Sequence, residues 1–427
     1  MNIPVLSLFP FILILLAIAI LPMYWNHRWE NNRNKLIIAS LLSLPIIIFL
    51  IQNELWHKLI ETILFDYLPF VILLGSLFII TGGIHIGGDI EAKPSTNLLF
   101  LGTGTLLASI MGTTGAAMLL IRPIINTNKE RKNKVHTILF FIACVANCGG
   151  LLTPIGDPPL FILYLRGVPF TWFFTLFPQW LFTNLMLLSI YFFVDSYYYR
   201  KEKKSDLIKD RINIRAIKIK GKLNFIWLLG VVLSIAFLNE QYIDLIHKNE
   251  YFKFLREGAL VLMAVCSLLF TQKNLRTLNN FSWHPIEEVA YLFFGIFITM
   301  IPCLLYLEAH AKSFGINNPS QFYYATGFLS AILDNTPTAV TFFSLARGLG
   351  LTSGLMVGGI PEEIIKAISL GAVFFGSFTY IGNAPNFMIK TIAEDYKIKM
   401  PHFFGYALKF SFIVLLPIFI LVQLIFL

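Results

Sequence analysis

Residues 147–161 read NCGGLLTPIGDPPLF, and they lie within an apolar segment that is long enough to cross a bilayer. The stretch contains three glycines, three prolines and one aspartate, Asp157. Proline removes a backbone donor and clashes with the preceding turn, so a regular helix cannot continue through it. In lipid, non-helical backbone is tolerated only where it packs in protein or lines a cavity. The stretch therefore predicts a membrane helix that is broken at mid-depth and carries a carboxylate in the break.

The whole chain has the composition of a membrane protein. Of its 427 residues, 56% are hydrophobic and 13% are charged, with a mean hydropathy of +0.72, whereas about a quarter of the residues in a soluble domain are charged. We therefore expect an all-α polytopic membrane protein with about ten transmembrane helices, each of roughly 20 residues. The first apolar run lacks a basic n-region, which favours a retained span over a cleaved signal peptide. Windows without Asp, Glu, Lys or Arg cover residues 3–25, 67–88, 97–121, 167–194, 289–307 and 410–427.

The basic residues are concentrated in loops. The net charge is +9, and residues 200–222 carry ten Lys or Arg against three Asp or Glu. Positive loops of membrane proteins stay in the cytoplasm, so we interpret this segment as a solvated cytoplasmic loop and expect no nucleic-acid partner. The expected location is the inner (plasma) membrane of a bacterium, with both termini outside the cytoplasm.

The loop charges also predict a re-entrant hairpin. If residues 97–121 crossed the bilayer completely, the basic loop 129–134 would lie outside, against the positive-inside rule. The sequence SIMGTTGAAM (109–118) offers small and hydroxyl residues where a helix can turn. We therefore expect a hairpin that enters and leaves on the cytoplasmic side and places a functional tip inside the membrane.

The same pattern occurs a second time. ASIMGTTGAAM (108–118) aligns with SAILDNTPTAV (330–340), and IGDPPLF (155–161) aligns with IGNAPNF (381–387). Upstream, LLGSLFIIT (73–81) aligns with FFGIFITMI, and three matched blocks in one order argue against chance similarity. Paired broken segments in an inverted repeat point to a transporter binding site near the midplane. The expected repeats are 1–199, with hairpin 97–125 and broken helix 138–166, and 223–427, with hairpin 320–346 and broken helix 365–391, joined by the loop 200–222.

Two aspartates fall within these interrupted elements. Asp157 lies in the first broken helix, and Asp334 lies at the second hairpin tip, in LDNTPT. An ionised aspartate in the bilayer costs roughly 2.5–3.5 kcal/mol even on the mildest scale. We expect the two to approach a common cavity, where two carboxylates disfavour double ionisation and can exchange protons for a small hard cation. The rival interpretation is helix capping, by Asp334 before Pro337 and by Asp157 before Pro158.

Four motifs resemble the ion transporter superfamily: GTTGAAMLLIRPI, NCGGLLTPIGDPP, LDNTPTAV and YIGNAPNFMIK. That superfamily includes divalent-anion/sodium symporters, citrate-transporter-like proteins and NhaD-type sodium/proton antiporters. The resemblance covers both halves of the chain. It implies hairpins and unwound helices, a homodimer, and a transport region that moves against a scaffold.

The resemblance also assigns roles to the hairpin tips. In the dicarboxylate symporters, Ser-Asn-Thr motifs at both tips bind sodium and substrate carboxylates. The corresponding positions here are Gly112-Thr113-Thr114 and Asp334-Asn335-Thr336. Asp334 and Asp157 stand where neutral residues are common in those symporters. A doubly acidic site repels a di- or tricarboxylate unless it is protonated or paired with a cation, which favours the antiporter branch.

The leading hypothesis is a Na+ (or Li+)/H+ antiporter that works by alternating access, with membrane lipid, cation and protons as its partners and no resident cofactor. The alternative is a cation-coupled citrate or dicarboxylate transporter, and arsenite efflux is a weaker third. An enzyme is not expected, because the sequence has no HExxH, GxSxG or P-loop pattern. The candidate Na+ ligands are Asp157 and Asp334, and the assisting groups are Asn147, Thr153, Gly156, Asn335, Thr336 and Asn383. The alternative substrate would be bound by Thr113, Thr114, Pro158, Pro385 and Asn386.

Overall fold

The computed structural model describes residues 3–248 and 250–427, and 76% of the chain is helical. Within the described ranges, seven helices are long and apolar enough to cross a membrane, which confirms the expected all-α polytopic class. The helices of the first half are α1 (Phe9–Tyr24), α2 (Asn26–Trp29), α3 (Asn32–Gln52), α4 (Trp56–Glu61), α5 (Leu68–Thr81), α6 (Pro94–Met111), α7 (Thr113–Thr127), α8 (Val135–Cys144), α9 (Pro158–Leu165), α10 (Phe177–Arg200) and α11 (Lys204–Ile212).

The helices of the second half are α12 (Asn224–Phe237), α13 (Asp244–Lys248), α14 (Phe254–Phe270), α15 (Lys273–Leu278), α16 (His284–His310), α17 (Pro319–Ile332), α18 (Asn335–Leu349), α19 (Glu362–Gly376), α20 (Ala384–Asp395), α21 (Phe403–Tyr406) and α22 (Leu416–Phe426). Short 3₁₀ segments cover Val5–Leu8, Cys148–Leu152, Phe170–Leu176, Glu250–Lys253 and Ala311–Phe314, and π-helical segments cover Thr62–Tyr67 and Ala407–Leu415.

Two helix pairs turn back on themselves, and they do so from opposite faces of the molecule. The first hairpin is α6 and α7, which pack together and meet at Gly112. The second is α17 and α18, which meet at Leu333 and Asp334. The outer end of the first hairpin lies beside residues 85–89, which follow α5, where Lys129 pairs with Asp89. The second hairpin starts and ends beside the end of α16, where Gly348 packs against the backbone of Glu308.

The helices form two packed groups. In the first group, the framework unit, α3 packs on α16, and α14 packs on α5 and α12. The second group, the site unit, contains both hairpins, the broken helices α8–α9 and α19–α20, and α10 and α22. The two units meet where α16 packs on α18 and where α5 packs on α7. The site unit holds every element that the sequence identifies as interrupted.

A β-ribbon connects the two units on one face. Strands β1 (His85–Asp89) and β2 (Arg215–Lys220) pair antiparallel, with a bulge between Gly87 and Asp89. At Gly88 φ is +127°, and a Cβ there would lie 2.7 Å from Ile217 Cα, so only glycine fits. β1 leads from α5 into the first hairpin, and β2 leads from α11 back to α12.

The segment 200–222 is largely exposed, but it is not an irregular loop, because much of it is a helix and a strand. It is held in place by polar contacts to the hairpin entrance. Asp210 accepts a hydrogen bond from the Ala92 amide at 2.8 Å, and Arg211 pairs with Glu91 at 2.7 Å. A smaller ribbon of β3 (Met356–Val357) and β4 (Ile360–Pro361) lies before α19.

Candidate functional site

Each hairpin tip docks on the broken helix of its own repeat by an equivalent backbone hydrogen bond. In the first repeat, the Thr113 amide donates to the Gly156 carbonyl at 2.8 Å. In the second, the Asn335 amide donates to the Gly382 carbonyl at 3.2 Å. The aligned pairs Thr113/Asn335 and Gly156/Gly382 thus make the same contact, which places both tips and both breaks at one level of the site unit.

The breaks fold so tightly that glycine is required in them. A Cβ on Gly156 would lie 1.9 Å from the carbonyl oxygen of Gly150. In the second repeat, a Cβ on Gly382 would lie 2.6 Å from the carbonyl oxygen of Gly376. Real Cβ atoms do not approach backbone so closely, so each break depends on a glycine pair.

A threonine in each break holds the hairpin that crosses it. The Thr153 hydroxyl donates to the carbonyl of Ser109, and the aligned Thr379 hydroxyl donates to the carbonyl of Ala331 at 2.6 Å. The hydroxyl of Thr153, a predicted ion ligand, therefore donates its hydrogen to the hairpin backbone.

Asp157 is fully buried between the two repeats. Its Oδ1 accepts hydrogen bonds from the Thr113 hydroxyl at 2.8 Å and from Asn383 Nδ2 at 3.0 Å. Its Oδ2 accepts from Asn335 Nδ2 at 2.6 Å. Although Asp157 occupies the position before α9, its side chain makes no cap hydrogen bond. The capping interpretation is therefore wrong for Asp157. The three side chains that donate hydrogen bonds to its carboxylate are all neutral.

Asp334 does cap its helix. Its side chain accepts a hydrogen bond from the Thr336 amide at 2.9 Å, at the start of α18. It is only partly buried, and its carboxylate interacts electrostatically with that of Asp157. The two aspartates thus share one region, linked through Asn335, which follows Asp334 and binds Asp157.

Asn383 and two further asparagines, one from each half of the chain, extend this polar cluster. Asn383 Nδ2 also approaches Asn147 Oδ1 at 3.1 Å, and Asn147 Nδ2 donates to Asn386 Oδ1 at 2.8 Å. All three side chains are at most 1% exposed. Asn386 was a candidate substrate ligand, but its amide is fully engaged with protein atoms.

Of the other predicted residues, Thr336 donates a hydrogen bond to the Asp334 carboxylate, and the rest form none with either carboxylate within the described residues. Thr336 contributes its amide to Asp334, and Gly156 contributes its carbonyl to the first tip. Thr114 is half-buried beside Thr113 and has no hydrogen bond from its hydroxyl within the described residues. Pro158 and Pro385 occupy the first turns of α9 and α20, where a missing N–H does no harm.

Sequence reasoning missed a second buried cluster, at the outer end of the first hairpin. Arg131 pairs with Asp195 at 2.5 Å, and His136 Nε2 lies 2.8 Å from the same Asp195 oxygen. These contacts fasten the end of α7 to α8 and α10. The sequence signal that could have revealed this cluster is Asp195, which directly follows the uncharged window 167–194.

A cavity of about 640 Å³ lies between the two units, at the far end of α9 from Asp157. Asp66 and Arg166 line it and form an ion pair at 2.7 Å. The sequence places both near span ends, which favours interfacial or snorkelling side chains. Asp66 is buried in the protein, and the pair joins the framework unit to the site unit.

Comparison with known proteins gives one family. The family model described as "Putative citrate transport" matches residues 1–427, the whole chain. No curated protein matches the chain.

Proposed function

The chain belongs to the citrate-transport family, within the ion transporter superfamily, and is a transporter rather than an enzyme; from this premise we propose that it exchanges Na+ (or Li+) for protons at Asp157. One observation carries the proposal. Asp157 is fully buried, and each of its hydrogen-bond donors is a neutral side chain. No lysine, arginine or histidine among the described residues forms an ion pair with it.

A buried carboxylate without a fixed counter-charge favours the binding of a mobile positive charge, such as a proton or a metal cation. Desolvating an ion in protein costs several kcal/mol, which a bound proton or cation offsets. Na+ is a hard cation and, like other hard cations, takes oxygen ligands. The Thr113 hydroxyl donates to Asp157 in the present arrangement, but it also has lone pairs that can face a cation. The same pocket can therefore hold a proton or Na+, and not both.

The fold offers a means of alternating access. The site lies within the site unit, and the cavity of about 640 Å³ lies between that unit and the framework. We propose that movement of the site unit against the framework exposes Asp157 to each face in turn. The partly exposed Asp334 at the second tip would take part in the exchange, because its charge acts on Asp157.

We further propose that the face with the β1–β2 ribbon is cytoplasmic, because it carries the basic segment 200–222. The first span starts on the opposite face, and α22 ends there, where Phe426 contacts Phe182 near the start of α10. A membrane-impermeant label added outside intact cells should then reach a tag at the C-terminus and spare a tag placed in α11.

The transport proposal is tested with purified protein in liposomes that contain a pH-sensitive dye. An outward Na+ gradient should drive proton uptake, and Asp157→Asn and Asp334→Asn should each abolish it, because an amide cannot exchange a proton for Na+. Asp244→Asn, a change to an exposed acid on α13, is the control and should retain flux. Full flux in both site variants would refute the assignment.

The family description supports a second candidate, transport of a citrate-type anion that enters with its cation. Thr114 and the tip backbone could then bind substrate carboxylates while Asp157 holds the coupling ion. Uptake of labelled citrate that depends on a cation gradient, without Na+-driven proton flux in the absence of citrate, would select this function over the antiporter.

A further inference from the structure

The helix α11, which follows α10 on the face with the β1–β2 ribbon, has two chemically different sides. One side binds the entrance of the first hairpin, where Asp210 is buried and accepts a hydrogen bond from the Ala92 amide. An α-helix turns about 100° per residue, so Ile208 and Ile212 share the side that lies opposite Asp210. These two isoleucines are 56% and 75% exposed. The helix therefore turns an apolar surface away from the protein.

Basic side chains border this apolar surface on both sides. At about 100° per residue, Lys204 lies about 40° to one side of Ile208, and Lys209 lies about 60° to the other side of Ile212. Both lysines are exposed, and neither forms an ion pair within the part of the chain that the structure describes. An apolar stripe bordered by basic side chains is typical of a helix that lies in a membrane interface.

The chain holds α11 near the bilayer surface from both ends. The span α10 ends at Arg200, and only residues 201–203 separate it from α11, a connection that reaches at most roughly 14 Å. Tyrosines occupy positions 197–199 in the last turn of α10, and Tyr197 is 55% exposed. Tyrosine is enriched at the level of the lipid headgroups. On the other side, only residues 221–223 separate β2 from the apolar helix α12.

We propose that α11 is an interfacial helix whose apolar side enters the membrane surface, with Lys204 and Lys209 bound to the phosphate groups of anionic phospholipids. The charge of the segment favours anionic headgroups, because residues 200–222 carry ten Lys or Arg against three Asp or Glu. Lipid binds the outer side of the helix, while Asp210 on the inner side holds the hairpin entrance. One short helix thus connects the lipid surface to an element that carries the candidate ion site.

A second copy of the chain is the rival occupant of this surface, and two observations disfavour it. The β2 strand next to α11 has an unpaired edge, and its Lys218 and Lys220 oppose pairing with a further strand. The apolar surface of α11 also consists of two isoleucine side chains on one nine-residue helix. Two such side chains bury far less than the 800 Å² or so that each partner of a standard protein interface contributes.

The test uses the full chain in vesicles, with a fluorophore on Ser205→Cys. Ser205 is exposed and lies seven residues before Ile212, hence on the same side of α11. The vesicles contain phosphatidylcholine, increasing fractions of phosphatidylglycerol, and a constant trace of lipid with a quenching nitroxide on its headgroup. We expect quenching to increase with the phosphatidylglycerol fraction. One molar KCl should remove that increase, because it shortens the Debye length to about 3 Å. The chain without the added cysteine corrects for labelling of the four native thiols.

Two matched double variants distinguish docking of the helix from a diffuse attraction between charges. Lys204→Gln with Lys209→Gln should weaken phosphatidylglycerol binding about 25-fold, because each basic residue near an anionic surface contributes about fivefold. Half-maximal quenching then requires a much higher phosphatidylglycerol fraction. Lys218→Gln with Lys220→Gln removes the same charge from β2 and should have a much smaller effect. These two lysines lie on the side of the ribbon opposite Ile86, which packs on the core.

Quenching that does not respond to phosphatidylglycerol, or equal losses in the two double variants, would overturn the inference. Quenching that increases when the protein is diluted to single copies per vesicle would assign the apolar surface to a second copy, and would overturn it too. The lipid and salt series need no substitution besides the labelled position, so they still decide if a lysine variant does not fold. Since no step measures ion flux, absence of Na+/H+ exchange would reject the proposed function and leave this result unaffected.

Discussion

Asp157 begins α9 without capping it, because its carboxylate is turned toward the two hairpin tips. Thr113 and Asn335 hold it from the tips, and they stand at aligned positions of the two repeats. Each repeat thus contributes one tip residue to a single acid. The site is symmetric in its backbone and asymmetric in its charge, since Asn383 occupies the position related to Asp157.

Thr113→Val keeps the shape of the side chain and removes the hydroxyl that donates to Asp157 at 2.8 Å. A hydrogen bond to a charged group contributes about 1.5–3 kcal/mol, so the Na+ concentration for half-maximal flux should rise at least about tenfold. Sodium titration of flux in liposomes measures this.

The matched control is Thr114→Val at the next residue, whose hydroxyl makes no hydrogen bond within the described part of the chain. It should leave the sodium dependence nearly unchanged. Equal effects of the two substitutions would mean that the tip binds its ligand through Thr114, as the citrate alternative expects.

For single residues, the sequence predicts which polar side chains lie in the site but not the orientation of those side chains. Asn335 and Asn383 follow from their positions in interrupted segments. The orientation of the Asn383 amide does not, because it is set by the Ala146 carbonyl and by Asn147 from the other half of the chain. Contacts between residues far apart in the chain leave no local pattern.

Among the elements, the broken helices leave the least room for added side-chain atoms, because the backbones of their two halves nearly touch. Gly156→Ala would force a Cβ to within 1.9 Å of the Gly150 carbonyl oxygen, which is backbone and cannot rotate away. We expect a loss of several kcal/mol in stability, comparable to the larger effects of core overpacking, and loss of transport. Thermal unfolding in detergent measures the first effect.

Gly258→Ala is the corresponding control, because a Cβ there meets nothing within 4 Å and the residue lies inside α14. Alanine should stabilise this helix by about 0.5–1 kcal/mol. A Gly156→Ala protein that unfolds at the wild-type temperature would show that the break can relax, and that its glycine pair is not required.

The β1–β2 ribbon shows why one element could not be predicted from the sequence. β2 reads RAIKIK with every residue exposed, and β1 reads HIGGD with two glycines. Glycine is depleted in strands, and an isolated two-stranded ribbon is marginal in water. Neighbouring contacts stabilise it here, among them those of Asp210, Arg211 and Lys129 and the contact of His85 with Asn279. The hydrogen bond to Asp89 also raises the pKa of Lys129 above its usual value.

For the whole molecule, the contact between the two units decides how readily the site unit moves. Asp66 on the framework and Arg166 after α9 form an ion pair whose side chains are 11% and 21% exposed. Tyr164 adds a hydrogen bond from its hydroxyl to the Ile235 carbonyl at 2.9 Å. These contacts hold the far end of α9 against the framework beside the cavity.

Asp66→Asn should loosen this contact, because Arg166 is left with an uncompensated charge in a mostly buried position. We expect a loss of about 1–3 kcal/mol, the cost of leaving a buried group without its partner. A cysteine in place of Val168, which is buried at the same seam, should react faster with a membrane-impermeant maleimide. The same protein without that cysteine corrects for the four native thiols.

Glu61→Gln serves as the control, since it removes the exposed pair of Lys58 and Glu61 at the rim of the same cavity. Exposed pairs contribute at most about 1 kcal/mol, so labelling should change little. If Asp66→Asn and Glu61→Gln gave the same labelling rate, the ion pair would have no part in holding the units together.

The class of the molecule could be predicted because apolar windows and their interruptions are local features of the sequence. The seven long apolar helices and the family match agree with that class. The seam between the units could not be predicted, because Asp66 and Arg166 are 100 positions apart. Each of them alone resembles an ordinary charge at the end of a span.

Pairing of β1 with β2 has a consequence for how the chain is made. The first strand leaves the ribosome well before the second, and every intervening segment of the first half must enter the membrane between them. If one of the two complete spans in that interval failed to insert, the strands would finish on opposite sides of the bilayer and could never meet. The ribbon therefore closes only on a correctly threaded first half.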